Sequence, residues 1–198
     1  MTASRIFLYI AVPLPPRVLA AIGVTHPTTL TAASAEYWRN LHIASLPLFP
    51  LLAFAPWLIV RGSRPIIVWS TGVLGFVYAV GYTGLDVLAG IGAGGLKLDD
   101  FGEATGTVFD LGNLFGRIGA AAFVAACLLA AGVAIYRAGP SAVLGGLAVV
   151  VGSLLLLRSH IYFPFGVLGQ VLLAAGWVAI LVVLDRAKRS VVGGDQVA

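Results

Sequence analysis

The chain has 198 residues, of which 60% are hydrophobic and 10% charged, and its mean hydropathy is +1.01. Soluble domains average about 25% charged residues, so this composition excludes an ordinary globular domain and predicts an integral membrane protein. The formal net charge of +4 does not indicate nucleic-acid binding, because the basic residues are scattered and mostly flank apolar runs, where they anchor and orient helices. We expect a single transmembrane domain over residues 1–198, with room for five or six spans.

The first apolar run, 6–24, is long enough to cross a membrane but contains Pro13, Pro15 and Pro16. Proline removes a backbone donor and clashes with the preceding turn, which predicts a kinked first helix. A cleaved signal peptide is the alternative, since Arg5 precedes a short apolar segment. The prolines interrupt that segment and no small-residue cleavage site follows it. We therefore expect a retained first span; its removal would leave five.

Five further apolar runs follow, each close to the roughly 20 residues that a helix needs to cross about 30 Å of hydrocarbon. Glycine and proline in the turns 61–65 and 137–140 end the helices on either side. The sequence therefore predicts an all-α bundle of six transmembrane helices. These lie near residues 6–24, 41–60, 66–89, 114–136, 141–157 and 164–184.

The charges in the loops predict the orientation of the bundle. The two short turns carry Arg61, Arg64 and Arg137, and short loops rich in arginine remain on the cytoplasmic side. With six spans, both termini are then cytoplasmic and the protein lies in the cell membrane. The dominance of arginine over lysine, together with frequent alanine, valine, leucine and glycine, is typical of a GC-rich bacterial genome.

Polar groups within or at the ends of spans are costly in a membrane, so each is a candidate for function. In the predicted topology they gather at the extracytoplasmic ends: His42 opens span two, Asp86 lies near the outer end of span three, and His160 lies between spans five and six. The candidate ligand-binding residues are Arg17, His42, Tyr82, Asp86, Arg158 and His160.

Four interpretations of this layer are open. The polar residues cap helix ends at the membrane surface and bind nothing. Alternatively, His42, Asp86 and His160 bind a divalent transition metal, or the two histidines hold a haem. In a third interpretation Asp86 is the substrate-binding group of a small carrier, with Arg17 as its counter-ion. In a fourth, His42 or His160 is the general base of an enzyme that acts on a lipid or another amphiphile.

No histidine has an evident nucleophile as its partner, so the sequence favours a binding or transport role over catalysis. A structural or accessory subunit of a membrane complex is a further alternative. Small residues on the predicted helices, such as Gly72, Gly75 and Gly81, allow close helix packing within one bundle or between copies. We expect membrane lipid as a partner and no nucleic acid, with a homo-oligomer or a partner membrane subunit as alternatives.

Overall fold

The computed structural model describes residues 3–194, and the side chains of residues 5–189. This part of the chain is all-helical, with 85% of residues in helices and no strands. By length and composition, five helical stretches are able to cross a membrane. They are Arg5–Thr25, Ala35–Val60, Pro65–Leu98, Gly102–Ser159 and Phe165–Arg189. The predicted helical membrane bundle fits this architecture.

Ten α-helices make up these stretches in the described residues, joined in places by short π- or 3₁₀-helical turns. They are α1 (Ala3–Ala11), α2 (Leu14–Thr25), α3 (Ala35–Ser45), α4 (Leu48–Leu51), α5 (Phe54–Val60), α6 (Pro65–Leu85), α7 (Ala93–Leu98), α8 (Thr105–Ala138), α9 (Val143–Ser159) and α10 (Phe165–Gly194). A π-helix, Asp86–Gly92, joins α6 to α7 without a break in the chain direction.

Prolines interrupt the first two stretches. The break between α1 and α2 falls at Val12 and Pro13. The second stretch is divided into α3, α4 and α5, with Pro47 immediately before α4. Each proline removes one donor from the helical hydrogen-bond ladder, so the chain bends at these points.

Several helices extend beyond the ranges that the apolar runs predict. The second stretch begins at Ala35 and the third continues to Leu98, while α8 begins at Thr105, before the predicted start of the fourth span at residue 114. Hydropathy identifies only the part of a helix that lies in the hydrocarbon layer. The helical hydrogen bonds of the backbone continue beyond it into polar sequence. The last helix continues past residue 184 to Gly194, and residues 195–198 lie outside the described part.

The stretch Gly102–Ser159 contains two helices that run in opposite directions. The chain reverses at Gly139, whose φ of +66° favours glycine. Gly146 of α9 then lies against Ala131 of α8, and Ser153 lies near the Cys127 thiol. The pairing of later residues of α9 with earlier residues of α8 establishes an antiparallel hairpin.

Glycines bring neighbouring helix backbones into direct contact. A Cβ added at Gly81 would lie 2.6 Å from the Phe115 carbonyl oxygen, and one added at Gly152 would lie 2.7 Å from the Gly169 carbonyl oxygen. Such contacts favour helix association in lipid, where the hydrophobic effect gives little drive for it.

The bundle has two chemically different ends. At the arginine end (Arg5, Arg61, Arg64, Arg137), the Arg137 guanidinium donates to the carbonyls of Ile59 and Arg61 at 3.0 Å each. Arg5 pairs there with Asp185 at 3.6 Å. The opposite end, the histidine end, carries His26, His42 and His160. The antiparallel helices therefore separate the cationic turns from the histidines.

Candidate metal centre

The three histidines of the chain come together at one place. His26 follows α2, His42 lies in α3, and His160 lies in the connection between α9 and α10. One ring nitrogen from each histidine lies within 4.8 Å of the others. The Nε2 atoms of His26 and His42 are 3.4 Å apart. Side chains from three separate segments thus form one imidazole cluster.

The other ring nitrogens of His26 and His42 are held by backbone carbonyls. Nδ1 of His42 is 2.7 Å from the Trp38 carbonyl oxygen, and Nδ1 of His26 is 2.7 Å from the Pro27 carbonyl oxygen. A carbonyl only accepts, so each Nδ1 carries the hydrogen and donates it. In the neutral rings both Nε2 atoms then present a lone pair to the same space, which a shared cation stabilises.

The spacing of the His26 and His42 ring nitrogens matches metal coordination. Two nitrogens bound about 2.0–2.1 Å from a tetrahedral zinc ion lie about 3.3–3.4 Å apart, and the two Nε2 atoms are separated by 3.4 Å. Three imidazoles with an open fourth position are the donor set of catalytic zinc sites, and imidazole also suits copper, iron and nickel.

His160 is held in an unusual backbone conformation. Its φ is +49°, a value that non-glycine residues rarely adopt, and strained backbone of this kind is enriched at functional sites. Its ring stacks against Phe49 and Tyr82, and its Nδ1 lies 3.1 Å from the Tyr82 hydroxyl oxygen. When Nδ1 donates to that oxygen, Nε2 is left free for a metal.

Close packing fixes the segments that carry the histidines. The Trp38 indole donates from Nε1 to the Ala89 carbonyl at 3.0 Å, tying α3 to the π-helix. Gly23 lies against the backbone carbonyl of Ile161, which places His26 beside His160. π-Helical turns occur frequently at functional sites, and here the π-helix carries Gly90 against the His42 ring.

Gly90→Ala should destabilise the protein by about 1–3 kcal/mol, because the new Cβ would overlap the His42 ring. The overlap should also force α3 and the π-helix apart and so disturb the histidine cluster. Gly95→Ala is the matched control: nothing lies within 4 Å of its added Cβ, and alanine stabilises a helix relative to glycine. Thermal unfolding in detergent micelles compares the variants, and equal midpoints would contradict the packing described.

Burial keeps the cluster uncharged. It lowers the pKa of His26 to about 4, and it lowers the pKa of His160 well below 6.5, with His26 and His42 adding to the effect. Both rings are therefore neutral near pH 7, which is the form that binds metals. Burial, followed by the nearby Asp86, raises the pKa of Tyr162 to about 12, so this phenol keeps its proton.

Asp86 is fully buried, and neither of its carboxylate oxygens has a hydrogen-bond partner in the described residues. It lies one turn beyond Tyr82, the residue that contacts His160. Its oxygens lie outside the histidine cluster, whose three ring nitrogens are within 4.8 Å of one another. The third member of the cluster is His26, whereas the sequence predicts Asp86 as the third ligand.

The remaining candidates from the sequence are placed differently. Tyr82 is buried and adjoins His160. Arg158 is exposed at the end of α9, beside the cluster. Arg17 is exposed on α2, and it forms no ion pair with Asp86, because within residues 5–189 the ion pair present is that of Arg5 with Asp185.

The space beside the cluster is small. A cavity of about 60 Å³ is bordered by Trp38, His42, Asn113, His160 and Tyr162, among others. It has room for a few water molecules or the remaining ligand of a metal ion. A porphyrin is far larger than this space, and the ring of His26 already lies between the two outer histidines, 5.0 Å from His42 and 5.8 Å from His160. The residues present therefore fit a single ion and do not fit a haem.

Sequence reasoning missed His26. The signal was its position immediately after the first span, in the same predicted extracytoplasmic layer as His42 and His160. Comparisons of the chain with protein-family models, curated proteins and solved structures found no match.

Proposed function

We propose that this protein binds a divalent transition-metal ion of the zinc or copper class through Nε2 of His26, His42 and His160. The observation that carries the proposal is the 3.4 Å separation of two Nε2 atoms whose rings are both fixed through Nδ1 by backbone carbonyls. Metal-binding histidines are oriented in this way, by a hydrogen bond from the second ring nitrogen.

We further propose six spans, with α8 and α9 each crossing the membrane and both termini in the cytoplasm. The antiparallel hairpin of α8 and α9 and the arginines that share one end of the bundle support this arrangement. The metal centre then lies at the extracytoplasmic ends of the helices. Reporter fusions at Gly139 and at Asp100 test the orientation: activity of the cytoplasmic reporter at Asp100 would reverse it.

A fixed binding site is favoured over a transport path. Toward the arginine end, the interior next to the cluster is filled by buried aromatic side chains, among them Phe49, Tyr78, Tyr82 and Phe123. An ion held by the histidines therefore meets a packed core instead of a polar channel.

A metal-dependent enzyme acting on an amphiphile is the second candidate. Three histidines leave one coordination position for water or a substrate, and the 60 Å³ cavity lies beside the cluster. Such an ion supplies Lewis acidity or an activated water. His42 and His160 act in this candidate as metal ligands, so neither is the general base.

Cobalt substitution tests the binding proposal. Protein purified in maltoside micelles is treated with chelator, loaded with Co²⁺ and freed of unbound ion. We expect one cobalt per chain and the strong visible absorption of four-coordinate cobalt, and zinc should displace it. Retention of no metal, or the weak spectrum of a six-coordinate ion, would overturn the proposal.

A further inference from the structure

A second cavity adjoins the metal centre. It measures about 210 Å³, and it shares Leu85, Asn113, His160 and Tyr162 with the smaller cavity beside the histidines. It is also lined by Arg117 of α8 and Arg158 of α9, both of which are exposed. A ligand entering from the surface therefore passes the two arginines before it reaches the metal centre.

The charge of this second cavity is positive. Neither arginine has a hydrogen-bond or ion-pair partner among the described residues, and no acidic side chain is among the described residues that line the cavity. A divalent ion bound to three neutral histidines keeps a net positive charge at the inner end of the cavity, even with the single charge of an Asp86 carboxylate nearby. An anion is the ligand that this distribution of charge attracts.

The positions of the two arginines along their helices indicate at which depth in the membrane the cavity opens. From Arg117 to the end of α8 at Ala138, the helix covers about 30 Å at about 1.5 Å per residue, which matches the thickness of the hydrocarbon layer. Arg158 lies in the last turn of α9. Both guanidinium groups therefore reach the level of the lipid headgroups, where phosphate groups are abundant.

We propose, building on the metal centre above, that this second cavity binds a phosphate-type anion with one oxygen directed to the open position of the metal. Guanidinium groups bind phosphate through paired, charge-assisted hydrogen bonds. The volume of about 210 Å³ is below the roughly 300–1,000 Å³ of pockets that enclose whole small molecules. The cavity thus takes the phosphate group, and the remainder of the molecule lies outside.

The test uses the full chain in maltoside micelles, loaded with cobalt and freed of unbound ion, with inorganic phosphate as the probe. Phosphate should shift the visible cobalt spectrum in a saturable way. Arg117→Gln and Arg158→Gln should each keep one cobalt per chain and weaken phosphate binding about tenfold. Arg64→Gln, an exposed arginine at the arginine end, is the matched control and should bind phosphate as the unchanged protein does.

Two arms distinguish the source of the phosphate. In nanodiscs of phosphatidylglycerol without added phosphate, a spectrum already shifted identifies a lipid headgroup, whereas a spectrum that shifts only after phosphate is added identifies a free anion. A cobalt-loaded protein that responds to neither, or arginine variants that respond like the unchanged chain, would overturn this inference and leave the metal centre standing. A chain that retains no cobalt would overturn both.

Discussion

Replacement of His42 by alanine is expected to lower the affinity for a divalent metal ion by a factor of about 10²–10³. Structural zinc sites with four ligands bind with roughly 10–16 kcal/mol, or about 2.5–4 kcal/mol per ligand. His42 supplies one Nε2 of the pair separated by 3.4 Å. Competition against a chromophoric chelator measures the loss, and the alanine variants of His26 and His160 should behave alike.

Ser45→Ala is the control for the His42 variant. Ser45 is buried on the same helix, close to one turn away, and its hydroxyl donates within α3 to the Leu41 carbonyl at 2.9 Å. Its loss should change metal affinity less than twofold, since it supplies no ligand. Equal affinities in the His42 and Ser45 variants, with both proteins folded and monodisperse, would show that the histidines are not ligands.

Asp86→Asn is expected to act in opposite directions on stability and on metal binding. Asp86 is fully buried without a hydrogen-bond partner, so keeping an ionisable carboxyl group there costs stability, and the neutral amide should stabilise the metal-free protein by about 1–2 kcal/mol. The carboxylate acts electrostatically on Tyr162 beside the cluster, so in its ionised form it should compensate part of the charge of a divalent ion bound to three neutral imidazoles. Its removal should therefore weaken metal affinity about 10- to 100-fold.

Asp99→Asn and Asp100→Asn control for the change in net charge, since both side chains are exposed. Neither should alter unfolding or metal affinity measurably. Denaturation in micelles, with and without zinc, compares all three variants. If zinc stabilises Asp86→Asn as much as it stabilises the unchanged protein, Asp86 is not the counter-charge of the metal.

The helical bundle could be predicted because apolar runs of sufficient length have few other uses in so small a chain. The ends of the helices could not be predicted in the same way. The backbone of α8 continues its hydrogen bonding through the acidic segment around Asp110, which hydropathy marks as a loop. The π-helix that carries Gly90 could not be predicted from hydropathy either, because its one extra residue per turn produces no signal in the hydrophobic pattern.

Part of the histidine cluster could be predicted from the sequence. The layer that contains His42 and His160 followed from the topology, and the two rings lie parallel with their centroids 6.5 Å apart. The contribution of His26 depends on the contact of Gly23 with Ile161, a long-range approach that no local pattern encodes. The pairing of Arg17 with Asp86 required both to face the same interior, whereas α2 turns Arg17 outward.

X-ray absorption at the zinc edge of the zinc-loaded protein tests the metal centre most directly, because it reports the number and type of the coordinating atoms. The cluster of three histidines, with the His26 and His42 Nε2 atoms 3.4 Å apart, predicts a four-coordinate ion with three imidazole nitrogens at about 2.0–2.1 Å and one further light atom. A shell of six oxygens, or fewer than two imidazoles, would contradict it.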